Sequence, residues 1–328
     1  MRAIVYRDFG SPDVLKAEDV EKPTPADNEV LVAVRAASVN MFDWYMVRGK
    51  PALLRPALGL GRPKPLGVDL SGVVEAAGRS VTQFKPGDRV FGTGRDKGLR
   101  STRGAFAEYV SATERALAIM PGNVTFEQAA AVPMAGLTAL QGLRDHGRMK
   151  RGQKVLVNGA SGGIGTFAVQ IAKAFGANVT GVCSTRNADM VRSIGADHVI
   201  DYTSENFTAG ATRYDVILDI VGSQPWPACR RVLTDSGKYV LAGGPPSRGL
   251  RLMLLSPFTR GKLVTFVTRA NPEDLNVLRE LIESGAVTPV IDRSYRLEET
   301  SDAIGYVAAG HTRGKVVIAI GADSGKSA

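Results

Sequence analysis

Short apolar runs separated by polar and turn residues fill the first 120 positions of the chain. Runs of this length, bounded by clusters such as KPGD at 85–88, are typical of β-strands joined by tight turns. The pattern therefore predicts a small β barrel or sandwich in this part of the chain. The runs are MRAIVYR, VLVAVRAASV, SGVVEAAG, DRVFGTG and AFAEYVSA.

The pattern changes near residue 123. Thr125 followed by Gln128 has the spacing of a capping box, which predicts the start of a helix, and Pro133 is expected to interrupt that helix. Beyond Lys150, strand-like runs alternate with helical patterns, which predicts βαβ units and a parallel sheet. The predicted strands are about 154–158, 178–183, 198–201, 215–220 and 238–242.

A glycine-rich turn lies between the first of these strands and a helix predicted over 167–175. Such a turn brings backbone N–H groups and the positive end of a helix together, which suits a pyrophosphate. Larger side chains would block the approach of the phosphate oxygens. A merely tight turn is the alternative. The glycines are Gly159, Gly162, Gly163 and Gly165.

The end of the second strand indicates which dinucleotide would bind. A site selective for NAD usually has Asp or Glu about 20 residues beyond the glycine turn. Here the strand at 178–183 contains no acid and runs into Ser184, Thr185 and Arg186. Two hydroxyl groups and a guanidinium suit the 2′-phosphate of NADP, unless Arg186 is only a surface charge at a helix start.

Composition and charge limit the classes of protein to which this chain can belong. A length of 328 residues favours two domains, and 44% hydrophobic with 22% charged residues is typical of a folded globular protein. The net charge of +9 comes from 41 basic and 32 acidic residues without a block of five like charges. A solvated basic surface is therefore favoured over nucleic-acid binding.

The location is expected to be cytoplasmic. Charges at Arg2, Arg7 and Asp8 leave no apolar run suited to a signal peptide, and no apolar window approaches a membrane-spanning length. Cys183 and Cys229 follow no paired pattern, which fits a reducing compartment.

The stretches GASGGIG, VQIAKAFGA, SIGADHVIDY, ILDIVG, TFEQAAAVP and GLTAL together resemble the zinc-free, quinone oxidoreductase-like branch of the medium-chain dehydrogenase/reductase superfamily. The resemblance extends from MRAIVY to GKVVI. It implies an α/β protein with a GroES-like β domain at 1–122, a return segment at 286–328, and a doubly wound Rossmann domain at 123–285. It also implies NADP(H) as cofactor and a homodimer.

The resemblance assigns residues to the cofactor. The Ser-Gly-Gly-hydrophobic turn would hold the pyrophosphate, Asn40 and Thr138 would lie near the nicotinamide, and Tyr202 would lie near the adenine. Packing under the sheet is the alternative for Tyr202. The residues expected to bind NADP(H) are Asn40, Thr138, Ser161, Gly162, Gly163, Ile164, Ser184, Thr185, Arg186, Tyr202 and Gly243.

No metal is expected. The resemblance places the catalytic zinc ligands of zinc-bearing relatives at Asn40, Val68 and Met134, none of which is a credible zinc ligand. No cysteine precedes residue 183, so the four-cysteine lobe of such relatives is absent as well. Without a Lewis acid, the protein cannot readily polarise a plain alcohol for the loss of a hydride. An electron-poor quinone or α,β-unsaturated carbonyl accepts a hydride directly, so reduction by NADPH is favoured over alcohol oxidation.

The resemblance implies that the stretch SVNMFDWYMVRG at 38–49 lines the substrate pocket. Tyr45 falls where zinc-bearing relatives often keep a relay histidine, and Asp43 falls at a frequent active-site acid. Tyr45 is a candidate proton donor to the developing oxyanion. Two alternatives stay open: Tyr45 and Trp44 form an aromatic wall, or Asp43 only pairs with Arg48.

The loop at 245–263 is both apolar and basic, and dimer packing or a lid is favoured over contact with a membrane surface. The expected function is NADPH-dependent reduction of a small-molecule quinone or enone, with no nucleic-acid partner and no stable membrane insertion. Two alternatives remain. One is a metal-free NADP-linked alcohol or carbonyl dehydrogenase, and the other is a non-catalytic NADPH-binding protein like the crystallin relatives.

Overall fold

A computed structural model describes residues 1–49, 64–94 and 104–321, and the chain divides into two compact units. The first unit comprises Met1–Met134, Ala270–Glu283 and Pro289–Ala328. The second unit comprises Ala135–Arg269 and Ser284–Thr288.

The described residues form the following strands and α-helices. The strands are β1 (Arg2–Tyr6), β2 (Lys16–Asp19), β3 (Glu29–Val39), β4 (Lys64–Pro65), β5 (Asp69–Ala77), β6 (Arg89–Thr93), β7 (Tyr109–Thr113), β8 (Leu117–Ile119), β9 (Lys154–Asn158), β10 (Asn178–Cys183), β11 (His198–Asp201), β12 (Tyr214–Asp219), β13 (Leu233–Leu241), β14 (Leu263–Thr265), β15 (Ile291–Arg296) and β16 (Lys315–Ala319). The helices are α1 (Met41–Val47), α2 (Phe126–Ala130), α3 (Pro133–Gln141), α4 (Gly163–Ala174), α5 (Ala188–Ser193), α6 (Trp226–Arg231), α7 (Pro246–Leu255), α8 (Pro272–Glu283) and α9 (Thr300–Ala308).

The first unit is built on a mixed sheet in the order β15-β16-β3-β5-β6-β8, with β7 also paired to β3. A smaller antiparallel sheet has the order β2-β1-β4. The alternation of β3 buries Val30, Val32 and Val34 in the core of this unit. Strand β16 pairs antiparallel with β3, from Val316 opposite Val39 to Ala319 opposite Ala36. The last two strands of the chain therefore join the sheet to which β3 belongs.

Helix α2 belongs to the first unit. Its capping box is the one expected from the sequence, since Gln128 N donates to Thr125 Oγ1 over 3.2 Å and Thr125 N donates to Gln128 Oε1 over 3.0 Å. Ser71 Oγ of β5 donates to Phe126 O over 2.6 Å, which ties the helix to the sheet. The division between the units accordingly follows Met134, whereas the sequence placed the boundary after residue 122.

The second unit contains a parallel sheet in the order β11-β10-β9-β12-β13-β14. This order reverses between β9 and β12, as in doubly wound dinucleotide-binding sheets. The core packs Leu156, Ile217 and Tyr239 from three of the strands. The prediction of an α/β chain with a parallel sheet is confirmed.

Some element bounds differ from the sequence prediction. Helix α4 begins at Gly163, within the glycine turn and before the predicted start at 167, because its N-cap Gly162 already has extended geometry. Strand β13 begins at Leu233, ahead of the predicted 238, although Asp235 and Ser236 interrupt its apolar pattern. Among the described residues, none of the helices combines the length and the apolar character needed to cross a bilayer.

Candidate functional site

The carboxyl ends of β9 and β12 lie side by side where the strand order of the second unit reverses. Asn158 ends β9, and its Nδ2 donates to Asp219 Oδ1 over 2.8 Å. The Asp219 carboxylate also accepts from the Tyr239 hydroxyl (2.6 Å) and from the backbone N–H groups of Val221 (3.0 Å) and Gly222 (2.7 Å). These contacts fix the edge at which open parallel sheets bind their ligands.

Residues 159–165 turn the chain from β9 into α4. Gly159 has a φ of +90°, a conformation that residues with a Cβ rarely adopt. A Cβ on Gly165 would lie 2.0 Å from Gly159 O, so only glycine allows the helix to start this close to the strand. The tightness of the turn thus depends on both glycines.

Gly162 has a different role, because the turn does not need it for internal packing. Its φ of −85° and ψ of 178° are open to any residue, and the nearest neighbour of a Cβ there would be Gly159 O at 3.6 Å. The first N–H groups of the twelve-residue helix α4 have no acceptor within the helix. A cradle of N–H groups with no side chain in front of it fits a diphosphate. Ser161, Gly163 and Ile164 are partly exposed at this same turn.

Asn187 connects the turn to the end of β10, and the sequence prediction missed it. Its Nδ2 donates to Ser161 Oγ over 3.1 Å and to Ser184 Oγ over 3.3 Å. The residue is 4% exposed, and within the described part of the chain its Oδ1 is buried without a hydrogen-bond partner. One buried amide therefore brings two of the predicted cofactor residues together. The available signal was an Asn at the N-cap of α5, directly after Arg186.

An acid lies beside the predicted 2′-phosphate residues. Cys183 at the end of β10 pairs with Asp201 at the end of β11, and Thr185 Oγ1 donates to Asp201 Oδ2. Thr203 donates to Asp201 Oδ1 from its N–H (2.9 Å) and its hydroxyl (2.7 Å). Donation by Thr185, followed by Thr203, lowers the pKa of Asp201. The Thr185 hydroxyl is therefore engaged by a carboxylate, while Arg186 is exposed at the same loop.

Tyr202 and Gly243 lie at the same carboxyl edge of the sheet. The Tyr202 side chain is 59% exposed, which excludes packing under the sheet, and its N–H donates to Cys183 O over 3.0 Å. Gly243 follows β13, and a Cβ there would lie 2.4 Å from Ile220 O. The chain can pass this close to the end of β12 only because residue 243 has no side chain.

Thr138 lies on α3 and is 6% exposed. Its Oγ1 shares a hydrogen bond of 2.7 Å with Thr268 Oγ1. One turn further along the helix, Gln141 donates through Nε2 to Arg269 O (2.7 Å) and accepts from Arg269 N (3.1 Å). Helix α3 is thereby fastened to the segment that follows β14.

In the first unit, Asn40 forms the N-cap of α1 and part of a buried polar network. Its N–H donates to Asp43 Oδ2 over 2.7 Å, and its Nδ2 donates to Asp69 Oδ2 over 3.0 Å. Lys315 Nζ donates to Asn40 Oδ1 over 2.7 Å and to Val39 O over 3.2 Å. The amide of Asn40 is therefore held from both ends in one orientation.

Asp69 and Lys315 form a buried ion pair, and the sequence prediction missed both. Their oxygen and nitrogen are 3.5 Å apart, and the side chains are 0% and 4% exposed. Asp69 also accepts from Ser38 Oγ (2.9 Å) and Met134 N (3.0 Å). The signal in the sequence was a lysine directly before the apolar run of β16. Such a charge is rarely buried without a partner.

Burial has the largest effect on the pKa values of the acidic and basic groups in this network. It raises the pKa of Asp69 and lowers the pKa of Lys315, although each partner opposes the other's shift. Burial also raises the pKa of Asp43 to about 7, against the hydrogen bond from Asn40 N. Asp43 is 0% exposed and caps its own helix, so it is buried away from solvent.

Tyr45 lies on α1 and is partly exposed. Burial raises its phenol pKa, which keeps the hydroxyl protonated near neutral pH. Within the described residues, that hydroxyl makes no hydrogen bond. On the same helix, the Arg48 guanidinium lies 5.1 Å from the centre of the Trp44 ring.

The residues around Asn40 do not fit a zinc ion. Zinc is bound by Cys, His, Asp or Glu, and the described residues 1–49, 64–94 and 104–321 contain no group of three such side chains able to hold a metal. Val68 is fully buried and has no donor atom in its side chain. The ammonium of Lys315 already faces Asn40 and Asp69, so a divalent cation there would meet a fixed positive charge.

Two family models match the chain. The model described as alcohol dehydrogenase GroES-like domain matches residues 26–122. The model described as zinc-binding dehydrogenase matches residues 194–318. The first match lies within the first unit. The second match covers β11 to β14 of the second unit and continues through α8, β15 and α9 of the first unit into β16.

Individual proteins match over nearly the whole chain. A 2-methylene-furan-3-one reductase of Solanum lycopersicum is 37% identical over 97% of this chain and 79% of its own length. A chloroplastic NADPH-dependent alkenal/one oxidoreductase of Arabidopsis thaliana is 35% identical over the same shares of the two chains, 97% and 79%. The solved structure of a quinone oxidoreductase from Coxiella burnetii superposes with a TM-score of 0.88 at 32% identity, covering 97% of this chain and 99% of that one.

Proposed function

Because the chain belongs to the quinone oxidoreductase-like branch of the medium-chain dehydrogenase/reductase superfamily and is an oxidoreductase, we propose that it uses NADPH to reduce quinones or α,β-unsaturated carbonyls. The observation that carries the proposal is the open cradle at Gly162, in front of the N–H groups of α4. The names of the relatives support the substrate class.

The second unit would hold the cofactor. The N–H groups of Gly163 and Ile164 would bind the diphosphate in the space that Gly162 leaves open, while the Gly162 N–H donates to Gly159 O over 3.1 Å. Ser161 would be presented to the diphosphate by Asn187. Ser184 and Arg186 would bind the 2′-phosphate, since the Thr185 hydroxyl is engaged by Asp201. When bound, NADPH supplies a hydride from its nicotinamide ring.

The first unit would serve the acceptor. Reduction of a quinone or enone leaves an oxyanion that needs a hydrogen-bond donor and a proton. Tyr45 would supply both, because its hydroxyl is held in the protonated form by burial, which raises the pKa, and has no hydrogen-bond partner among the described residues. Asn40 would orient the nicotinamide end, held in place by Lys315 and Asp69. Asp43 would act indirectly, by fixing the start of α1.

Turnover with two hydride acceptors and one hydride donor tests this proposal. Purified protein is mixed with NADPH and either a quinone or an enone, and with NADP⁺ and a simple alcohol, while nicotinamide absorbance is recorded. We expect NADPH to be consumed with the quinone and with the enone, and no NADPH to form with the alcohol. Turnover confined to the alcohol would identify an alcohol dehydrogenase instead. Tight binding of NADPH without turnover of any acceptor would identify a non-catalytic binding protein.

A homodimer and a cytoplasmic location are part of the same proposal. The family resemblance supports the dimer, and light scattering of the purified protein measures it directly. The relative from Arabidopsis thaliana is chloroplastic, so the location does not follow from the family. Fractionation of cells that make the native protein tests it.

A further inference from the structure

Positive charge is concentrated in the part of the second unit that follows β13. Residues 242–272 include five basic residues and no Asp or Glu. Over the chain as a whole, basic and acidic residues number 41 and 32. This stretch therefore supplies +5 of the net charge of +9. The basic residues are Arg248, Arg251, Arg260, Lys262 and Arg269.

Exposed apolar side chains are concentrated in the same stretch. Among the described residues, ten large hydrophobic side chains are exposed, and six of them belong to this stretch. Phe258 is 83% exposed and Leu254 is 66% exposed. The six are Leu250, Met253, Leu254, Leu255, Phe258 and Val267.

Helix α7 presents an apolar face outward. Leu250, Met253 and Leu254 follow the i, i+3, i+4 spacing of one helical face and are all exposed, whereas Leu252 is the buried residue of the helix. A helix that only packed on its own unit would bury the wider apolar face. We call residues 250–262, from this face to Lys262, the ridge.

The second half of the ridge is held in a fixed shape by local hydrogen bonds. Ser256 Oγ donates to Leu263 O over 2.7 Å, and Thr259 Oγ1 donates to Ser256 O over 2.7 Å. Arg260 and Gly261 both have positive φ, 53° and 74°, and turn the chain back towards β14. Phe258 is thus exposed on an ordered loop directly before a tight turn.

We propose that the ridge docks on the surface of an anionic lipid membrane, with its apolar side chains in the headgroup region and its basic side chains on lipid phosphates. Exposed apolar side chains with flanking arginine and lysine are the features of an interfacial helix. This is peripheral contact and involves no spanning segment. It does not depend on the proposed chemistry.

The charge of the ridge disfavours a second copy of this chain as the partner that covers it. In a two-fold dimer that uses the ridge on both sides, the positive charges of Arg251, Arg260 and Lys262 from both copies would be brought into one interface. No acidic residue occurs between 242 and 272 to compensate them. The dimer packing considered from the sequence is therefore disfavoured for this surface, and an anionic partner is favoured.

Cosedimentation with vesicles tests the proposal on the intact protein. One set of vesicles contains equal parts of phosphatidylglycerol and phosphatidylcholine, and the other contains phosphatidylcholine alone. We expect binding to the anionic vesicles at least about tenfold tighter than to the neutral ones, weakened by salt. Equal binding to both sets, or binding to neither, overturns the proposal.

Variants of the ridge show which residues are responsible. The double variants Leu254→Asp/Phe258→Asp and Arg251→Glu/Arg260→Glu should each weaken anionic vesicle binding at least about tenfold. The matched control Arg192→Glu/Arg213→Glu makes the same change of charge at exposed arginines outside the ridge and should bind like wild type. Unchanged melting temperature and NADPH consumption in solution verify folding. Wild-type vesicle binding by the ridge variants overturns the proposal.

The same variants would reveal two other possible partners of the ridge. If Leu254→Asp/Phe258→Asp changes the oligomeric state in gel filtration while neither vesicle type binds wild type, the ridge is a self-association surface. If wild type binds poly-glutamate through Phe258 and Leu254 but binds no vesicles, the partner is an acidic protein. Either result overturns the membrane proposal.

Discussion

For single residues, recognition of the cofactor is expected to depend on two opposite charges that follow β10 and β11. Arg186 is the exposed guanidinium at the end of β10, and Asp201 is the carboxylate beside it that engages Thr185. A 2′-phosphate would be attracted by Arg186 and repelled by Asp201. Selectivity for NADPH is therefore expected to depend on a single arginine.

Replacement of this arginine should separate the two nicotinamide cofactors. In Arg186→Ala, we expect KM for NADPH to rise about tenfold or more, the loss associated with a charge-assisted hydrogen bond. KM for NADH should stay nearly unchanged, because NADH has no 2′-phosphate. Steady-state kinetics with both cofactors measures this. An equal rise for both would show that Arg186 does not read the phosphate.

The buried pair of Lys315 and Asp69 is expected to matter for stability. Lys315→Met leaves the Asp69 carboxylate buried without its counter-charge, which should reduce the free energy of unfolding by about 3–5 kcal/mol. Urea denaturation of wild type and variant measures the difference. The double variant Lys315→Met/Asp69→Asn should recover part of the loss, because no unpaired charge then remains. A single variant as stable as wild type would contradict this account.

At the scale of elements, the glycine turn combines two requirements that different glycines meet. Gly165 lets α4 start against Gly159 O, and Gly162 leaves the space in front of the helix open. Strands such as β9 and β10 were predictable, because a buried parallel strand is a short apolar run with clear ends. The start of α4 was not, because its first turn is rich in glycine, a poor helix former.

The two glycines should respond differently to alanine. Gly162→Ala should fold with an unchanged melting temperature but raise the Kd for NADPH at least about tenfold, because the methyl group enters the cradle. Gly165→Ala should lower the free energy of unfolding by at least about 1 kcal/mol, because its Cβ meets Gly159 O. Thermal unfolding and calorimetric titration separate the effects. Normal NADPH affinity in Gly162→Ala would show that the cradle binds no diphosphate.

Over the whole molecule, the sequence predicted the parallel sheet correctly. It did not predict which residues from distant parts of the chain contact one another. Lys315 and Asn40 are 275 positions apart, and no local pattern links them. Asn187 resembles an ordinary helix cap until its bonds to Ser161 and Ser184 are seen. Sequence motifs thus predicted the strands and helices of the candidate site. The residues that hold these elements in place were found only from contacts between distant positions of the chain.

The same pairing leads to a prediction about metal. Because the ammonium of Lys315 faces Asn40 and Asp69, prolonged dialysis against a chelator should leave the rate of NADPH oxidation unchanged. Elemental analysis before and after dialysis provides the control. Loss of activity together with stoichiometric release of zinc would show that a metal site exists.

The proposed function requires that a hydride passes from the nicotinamide of NADPH to an electron-poor acceptor on this protein. The most direct measurement uses NADPH deuterated at nicotinamide C4, an enone as acceptor, and mass spectrometry of the reduced product. We expect one deuterium on the former β-carbon of the enone, delivered by the protein at a rate far above the background without it. A product whose new hydrogen at that carbon comes only from solvent would contradict the account.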